Sequence, residues 1–190
     1  MKTSHKVVAC VLAICLALSG AYWTGYTTPR SDVDPQDYIT TIFTPDEDGL
    51  AAYLNFLDRA SQNVFVAFYG FTEPSVVDKL IELKGRGVKV RILLDRSQSR
   101  GKYQAEQIVR LREAGIEVVI GTSMKSGQIM HHKFTIIDGH LVEDGSWNCS
   151  RSSSKQANLL NIVDSRSRAR MFQEKWDDMF KFMSKQDQSL

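Results

Sequence analysis

Between Met130 and Ser150 the chain carries His131, Lys133, Asp138, Gly145, Ser146 and Asn148, the pattern H-x-K-x4-D-x6-G-S-x-N. Six identities at set spacings arise by chance in a chain of 190 residues with a probability on the order of one in 10⁵ or less. The residue types name a chemistry. His131 and Lys133 stand two apart, so on an extended segment both point to one side. An imidazole placed there can attack phosphorus while the neighbouring ammonium neutralises phosphoryl oxygens. Ser146 and Asn148 are again two apart, and their hydroxyl and amide can donate to the remaining oxygens as charge develops. The candidate catalytic residues are therefore His131, Lys133 and Asp138, and the candidate phosphate-binding residues are Lys133, Ser146 and Asn148. With four histidines in the chain and no clustered carboxylates, neither a metal nor any other cofactor is expected.

Such side chains must be held by a scaffold, and the flanking sequence alternates between two periodicities. Residues 39–43, 64–69, 88–94, 116–120 and 159–163 read as strands, and the apolar run Val64–Tyr69 as one covered on both faces. Phe134–Ile137 and Leu141–Glu143 flank Asp138-Gly139, a strong hairpin signal. Residues 46–60 carry a helical stripe, Leu50, Tyr53, Leu54 and Leu57, with Thr44 or Asp46 as cap. Pro74 opens a second helix through Lys84, closed by Gly85-Arg86-Gly87; Tyr103–Ala114 is a third and Arg166–Phe182 a last, amphipathic one. This alternation predicts an α/β fold, an α-β-α sandwich on a mixed, largely parallel sheet. The chain has no internal repeat.

The motif resembles that of the phospholipase D superfamily at every fixed position, and Gly85-Arg-Gly-Val-Lys-Val-Arg-Ile-Leu-Leu-Asp95 looks like that family too. The resemblance spans roughly residues 39 to 180 and is nearest in look to short, exported, single-motif bacterial endonucleases. It implies a two-step reaction through a phosphohistidine, in which a second histidine protonates the leaving oxygen and later activates water. Because this chain has one motif, the resemblance implies a half-unit that dimerises, a homodimer sharing one active site to which each subunit gives a His131. It assigns phosphate binding to Lys133 and Asn148, a supporting role to Ser146, and a hairpin-holding role to Asp138 in place of a catalytic one. One departure stands out: where relatives often carry a Glu just before an Asn, this chain has Ala157 before Asn158.

Neighbouring side chains have plainer readings. His132 should face away from His131 and pack or lie on the surface, and His140 should be solvated after the turn. Trp147 is expected in the core, and Met171, Trp176, Met179 and Phe180 on the buried face of the last helix. Cys149 is expected to be a small buried residue.

Lys2 and Lys6, with no acid in residues 1–21, account for the whole net charge of +2 and leave the remainder formally neutral. A positive start, the apolar core Val7–Leu18 and small residues at Ser19 and Ala21 read as a signal peptide. The same stretch could instead be an uncleaved anchor. Residues 22–36 read as a linker and 37–190 as the catalytic domain, exported to the periplasm or beyond the cell. Two basic runs, Lys84–Lys102 and Arg151–Arg170, each hold a single acid, whereas Asp32–Asp58 holds seven acids and no base. The default reading of such runs is a solvated face; the alternative is a positive rim that guides a polyanion. Nucleic acid is the first substrate expected, a phospholipid headgroup the alternative, and a non-catalytic nucleic-acid- or membrane-binding dimer a third reading.

Overall fold

A computed structural model describes residues 38–125 and 127–187. The leader and linker readings lie outside the described residues. The strands are β1 (Tyr38–Thr44), β2 (Asn63–Phe68), β3 (Lys89–Asp95), β4 (Glu117–Gly121), β5 (Lys133–Ile137), β6 (Leu141–Gly145) and β7 (Asn158–Asp164). The helices are α1 (Gly49–Leu57), α2 (Pro74–Gly85), α3 (Arg96–Ser99), α4 (Lys102–Glu113) and α5 (Arg166–Asp187), with a 3-10 turn at Ser153–Lys155.

Among the described residues the strands form one sheet in the order β1-β7-β6-β5-β2-β3-β4. Strand β2 is central because its side chains are apolar on both faces: Val64, Val66 and Phe68 enter one core, Ala67 the other. Buried residues of α1, α2 and α4 pack on the first face and those of α5 on the second, which gives the three layers expected. The sheet is mixed. Strands β1, β2, β3, β4 and β6 run one way and β5 and β7 the other, yet only β2–β3 and β3–β4 are parallel neighbours. "Largely parallel" therefore holds for strand direction and fails for pairing, because the β5–β6 hairpin and β7 intercalate antiparallel strands.

Three boundaries differ from the sequence reading for identifiable reasons. Helix α1 is capped by Asp48, whose side chain accepts from Ala51 N at 3.0 Å. The expected cap Thr44 is unavailable because its buried hydroxyl donates to Gln156 O at 2.7 Å. Helix α3, which has no apolar periodicity, is nucleated by Asp95, which accepts from Ser97 N and Gln98 N. Helix α5 runs past Phe182 to Asp187 because Met183 is fully buried and Gln186 Oε1 accepts from Thr122 N at 2.9 Å.

The plainer readings mostly hold. Trp147 and Cys149 are fully buried, and Trp176 anchors α5 by donating from Nε1 to Val66 O at 3.0 Å. Met171, however, is 44% exposed and not part of the buried face. His140 is half-buried rather than solvated, with Nδ1 2.9 Å from Asp164 Oδ1 at the end of β7. Among the described residues no helix is long and apolar enough to cross a membrane.

Candidate active site

The strand directions bring the carboxyl ends of β1, β2, β3, β4 and β6 to one edge of the sheet, together with the starts of β5 and β7. Such edges are where ligands bind in α/β sheets. Lys133 opens β5 opposite Phe68, and the pairing continues one step further as Tyr69 N donates to His132 O at 2.9 Å. Extended backbone through 131–133 then puts His131 and Lys133 on one side, as their spacing predicts.

Lys133 Nζ lies 3.3 Å from His131 Nε2 and donates to His131 O at 3.2 Å. A charged ammonium can only donate, so Nε2 is the acceptor and the ring proton belongs on Nδ1. Both groups stand against Tyr69: its ring meets His131 edge-to-face at 4.5 Å between centroids, and Lys133 Nζ sits 5.4 Å from the centroid. Burial, and next the Lys133 ammonium, lower the His131 pKa against an opposing pull from Asp95. Burial likewise lowers that of Lys133, which is 9% exposed. The imidazole is thereby kept neutral and its Nε2 lone pair available, beside a cation placed for a phosphoryl oxygen.

Three residues that the motif does not contain complete this support. Asp95, 1% exposed at the end of β3, accepts from Met130 N at 2.8 Å and so ties down the residue preceding His131. Its other oxygen caps α3, and Gln98 of that helix donates to Tyr69 Oη at 2.8 Å. The sequence signals were faint: an Asp ending a strand two residues before a Ser, and a Tyr closing an apolar run. Ala157 is exposed just before β7, and no carboxylate pairs with the His131 ring among the described residues.

Asn148 is drawn to the same edge, where its Oδ1 accepts from Gly70 N at 3.3 Å next to Tyr69. With that oxygen committed, Nδ2 is the donor it can offer a phosphate. Ser146 is placed differently. Its hydroxyl donates to Asn158 Oδ1 and accepts from Leu159 N, both at 3.1 Å, so it braces β6 against β7 and is not turned to the His131–Lys133 pair. The crossing is tight: a Cβ on Gly145 would collide with Leu159 O, which is why glycine precedes Ser146.

Asp138 is not at this site. It sits at the opposite end of β5, five residues from Lys133 and so about 17 Å away. With Gly139 it forms the hairpin turn, both residues at positive φ. Its carboxylate accepts from Ser61 N and Oγ, Gln62 N and Asn63 N. Burial pushes this carboxyl up, but the four donors outweigh it and hold the pKa below its ordinary value. The motif's aspartate fastens the hairpin to the start of β2; placement removes it from the candidate catalytic residues.

His132 turns to the other side, edge-to-face on Phe134 at 5.7 Å, and lines a cleft of about 200 Å³ with Met171, Phe172 and Lys175. Among the described residues no three His, Cys, Asp or Glu side chains are grouped as metal ligands are.

A histidine and a lysine at the carboxyl edge of a mixed sheet, with an amide donor beside them, are groups suited to phosphoryl transfer. The family model described as "Cardiolipin synthase, PLD-like domain" matches residues 53–181. The chain is 34% identical over 139 residues to a phospholipase D of Rickettsia felis, covering 73% of this chain and 67% of that one. It is also 34% identical over 137 residues to a mitochondrial cardiolipin hydrolase of Chlamydomonas reinhardtii, covering 70% of this chain and 59% of that one. Among solved structures, Nuc from Salmonella typhimurium, a phospholipase D family member, superposes with a TM-score of 0.72 at 24% identity, covering 77% of this chain and 95% of Nuc. The chain belongs to the phospholipase D superfamily and is a hydrolase of phosphodiester bonds.

Proposed function

We propose that this phosphodiesterase is an exported nuclease that works without metal as a homodimer with a shared active site. In the first step the neutral His131 attacks phosphorus through Nε2, the bond from phosphorus to the leaving oxygen breaks, and the partner's His131, which enters as the imidazolium, gives that oxygen a proton and becomes neutral. In the second step the partner's His131 takes a proton from water, the resulting hydroxide attacks the phosphohistidine, and the P–N bond breaks to restore the enzyme. Lys133 and Asn148 Nδ2 hold the non-bridging oxygens throughout.

The observation that carries the choice of substrate is the distribution of cations. Of the two basic runs, Arg86, Arg91 and Arg168 are paired with Glu82, Glu117 and Asp144. Arg100, Lys102, Arg151 and Lys155 are exposed, have no ion-pair partner among the described residues, and follow the site-edge ends of β3 and β6. A polyanionic strand laid over His131 gains from each of them. A second reading, a phospholipid substrate, is supported by the cleft of Phe134, Met171 and Phe172 behind the motif and by the exposed Met124 and Ile129 beside it.

The two are separated by incubating the purified chain with plasmid DNA, a single-stranded oligonucleotide and phosphatidylcholine vesicles, each with and without EDTA. Nucleic-acid cleavage that persists in EDTA and vanishes in His131→Ala is expected. Hydrolysis of lipid alone overturns the nuclease reading, and loss of activity in EDTA overturns the metal-free mechanism.

A further inference from the structure

A cleft of about 520 Å³ is lined by residues that follow Asn148 and by the start of α4. Its lining includes Ser150, Arg151 and Ser152, which begin two residues after Asn148, with Tyr103 and Glu106 of α4 and Thr72. Its volume falls in the range of small-ligand pockets. Tyr103 is 72% exposed, a large aromatic face at the start of a helix with no packing role.

The cleft is tied to the catalytic residues by buried contacts. Gln104, next to Tyr103 and 2% exposed, accepts from Phe71 N through Oε1 at 2.7 Å. Phe71 bridges to Cys149, and Cys149 O accepts from Thr72 N at 2.7 Å. Tyr103 is thus held in a fixed relation to Tyr69–Phe71 and to Asn148.

We infer that this cleft is a nucleobase subsite, which takes the base adjoining the scissile phosphodiester; the inference rests on the nuclease reading above. Tyr103 supplies the stacking face, and the Arg151 guanidinium supplies either a second plane or a contact to the next phosphate. Glu106 is an acceptor for an exocyclic amino group, which cytosine, adenine and guanine carry and thymine and uracil lack. An acyl chain gains nothing from Glu106 and Arg151.

The test uses the full chain, wild type, Tyr103→Ala, Tyr103→Phe and Glu106→Gln. Substrates are a fluorescent single-stranded oligonucleotide of mixed sequence, a strand of equal length made of abasic residues, and phosphatidylcholine vesicles. Tyr103→Ala is expected to raise KM for the oligonucleotide about tenfold, with kcat and the abasic strand unaffected, since base stacking is lost only where a base is present. Tyr103→Phe keeps the ring and is expected to behave as wild type, while Glu106→Gln shifts cleavage away from amino-bearing bases. An unchanged oligonucleotide KM in Tyr103→Ala, or an equal loss on the abasic strand, overturns the subsite while leaving the nuclease reading intact. Loss confined to phosphatidylcholine makes the cleft a headgroup site and overturns it as well. A wild type that cleaves vesicles but neither strand fails at the nuclease reading itself.

Discussion

Asp138→Asn separates a fastening role from a catalytic one, because asparagine tolerates the positive φ of 51° at this position whereas alanine adds backbone strain of its own. In the native chain one carboxylate oxygen serves Ser61 N and Oγ and the other serves Gln62 N and Asn63 N. An amide keeps one acceptor oxygen for Gln62 N and Asn63 N, as neutral bonds; the bond from Ser61 N is lost, and Ser61 Oγ keeps its contact only by accepting from the amide nitrogen. Ser61 and Gln62 are exposed and recover water, which puts the loss at the low end for charge-assisted bonds; only Asn63 is partly buried. The destabilisation is then about 2 kcal/mol. For a domain of this size that lowers the melting temperature by about 4–8 °C. The sign with pH follows from the direction of the Asp138 shift. A carboxyl whose folded pKa lies below its ordinary 3.8 stabilises the fold above that value and loses the contribution as pH falls through the folded pKa. Thermal melts from pH 7 down to pH 3 should therefore show the gap between wild type and variant closing at the acid end. Activity below the melting transition should be retained. An unchanged melting temperature at pH 7, or activity lost while the variant is still folded, refutes the reasoning.

Other consequences follow from the same geometry. The His131 ring, followed by NMR, should titrate below 6.5, and Lys133→Met should raise the midpoint by removing the neighbouring charge while abolishing turnover; a wild-type midpoint at or above 6.5 contradicts the site described. Glu143 is fully buried with neither oxygen bonded, and burial and then Asp144 raise its pKa well above the ordinary value. Wild type therefore loses stability as pH rises past the usual glutamate range, and Glu143→Gln should melt progressively higher than wild type from pH 5 to pH 8; a constant difference counts against this account. Gly145→Ala puts a methyl group onto Leu159 O and should cost on the order of 3 kcal/mol or more, read in denaturant, whereas Gly139→Asn at the turn should be tolerated.

The periodicities in this chain determined nearly every strand and helix, because each is a local response to apolar spacing and to capping residues. They also determined that His131 and Lys133 share a side, since alternation along an extended segment needs no partner. Trp147 was legible as core for the same reason, and Cys149 from its residue type. The elements that escaped have no apolar period to announce them: α3 rests on the cap that Asp95 gives Ser97 N and Gln98 N, and the end of α5 on the burial of Met183 and the contact of Gln186 with Thr122.

Which motif residues meet was decided only by the tertiary structure. Alternation treats Ser146 and Asn148 alike, yet the close crossing at Gly145 spends one hydroxyl on β7 and leaves the other side chain at Gly70. The motif counts Asp138 with His131, but a strand separates them, and three backbone amides and a hydroxyl from 61–63 claim its carboxylate. Tyr69, Asp95 and Gln98 lie outside the motif and reach it only because β2 and β3 end beside the start of β5. Local spacing records the direction of a side chain along its own strand; its neighbours across the sheet depend on strand order, which no local pattern encodes.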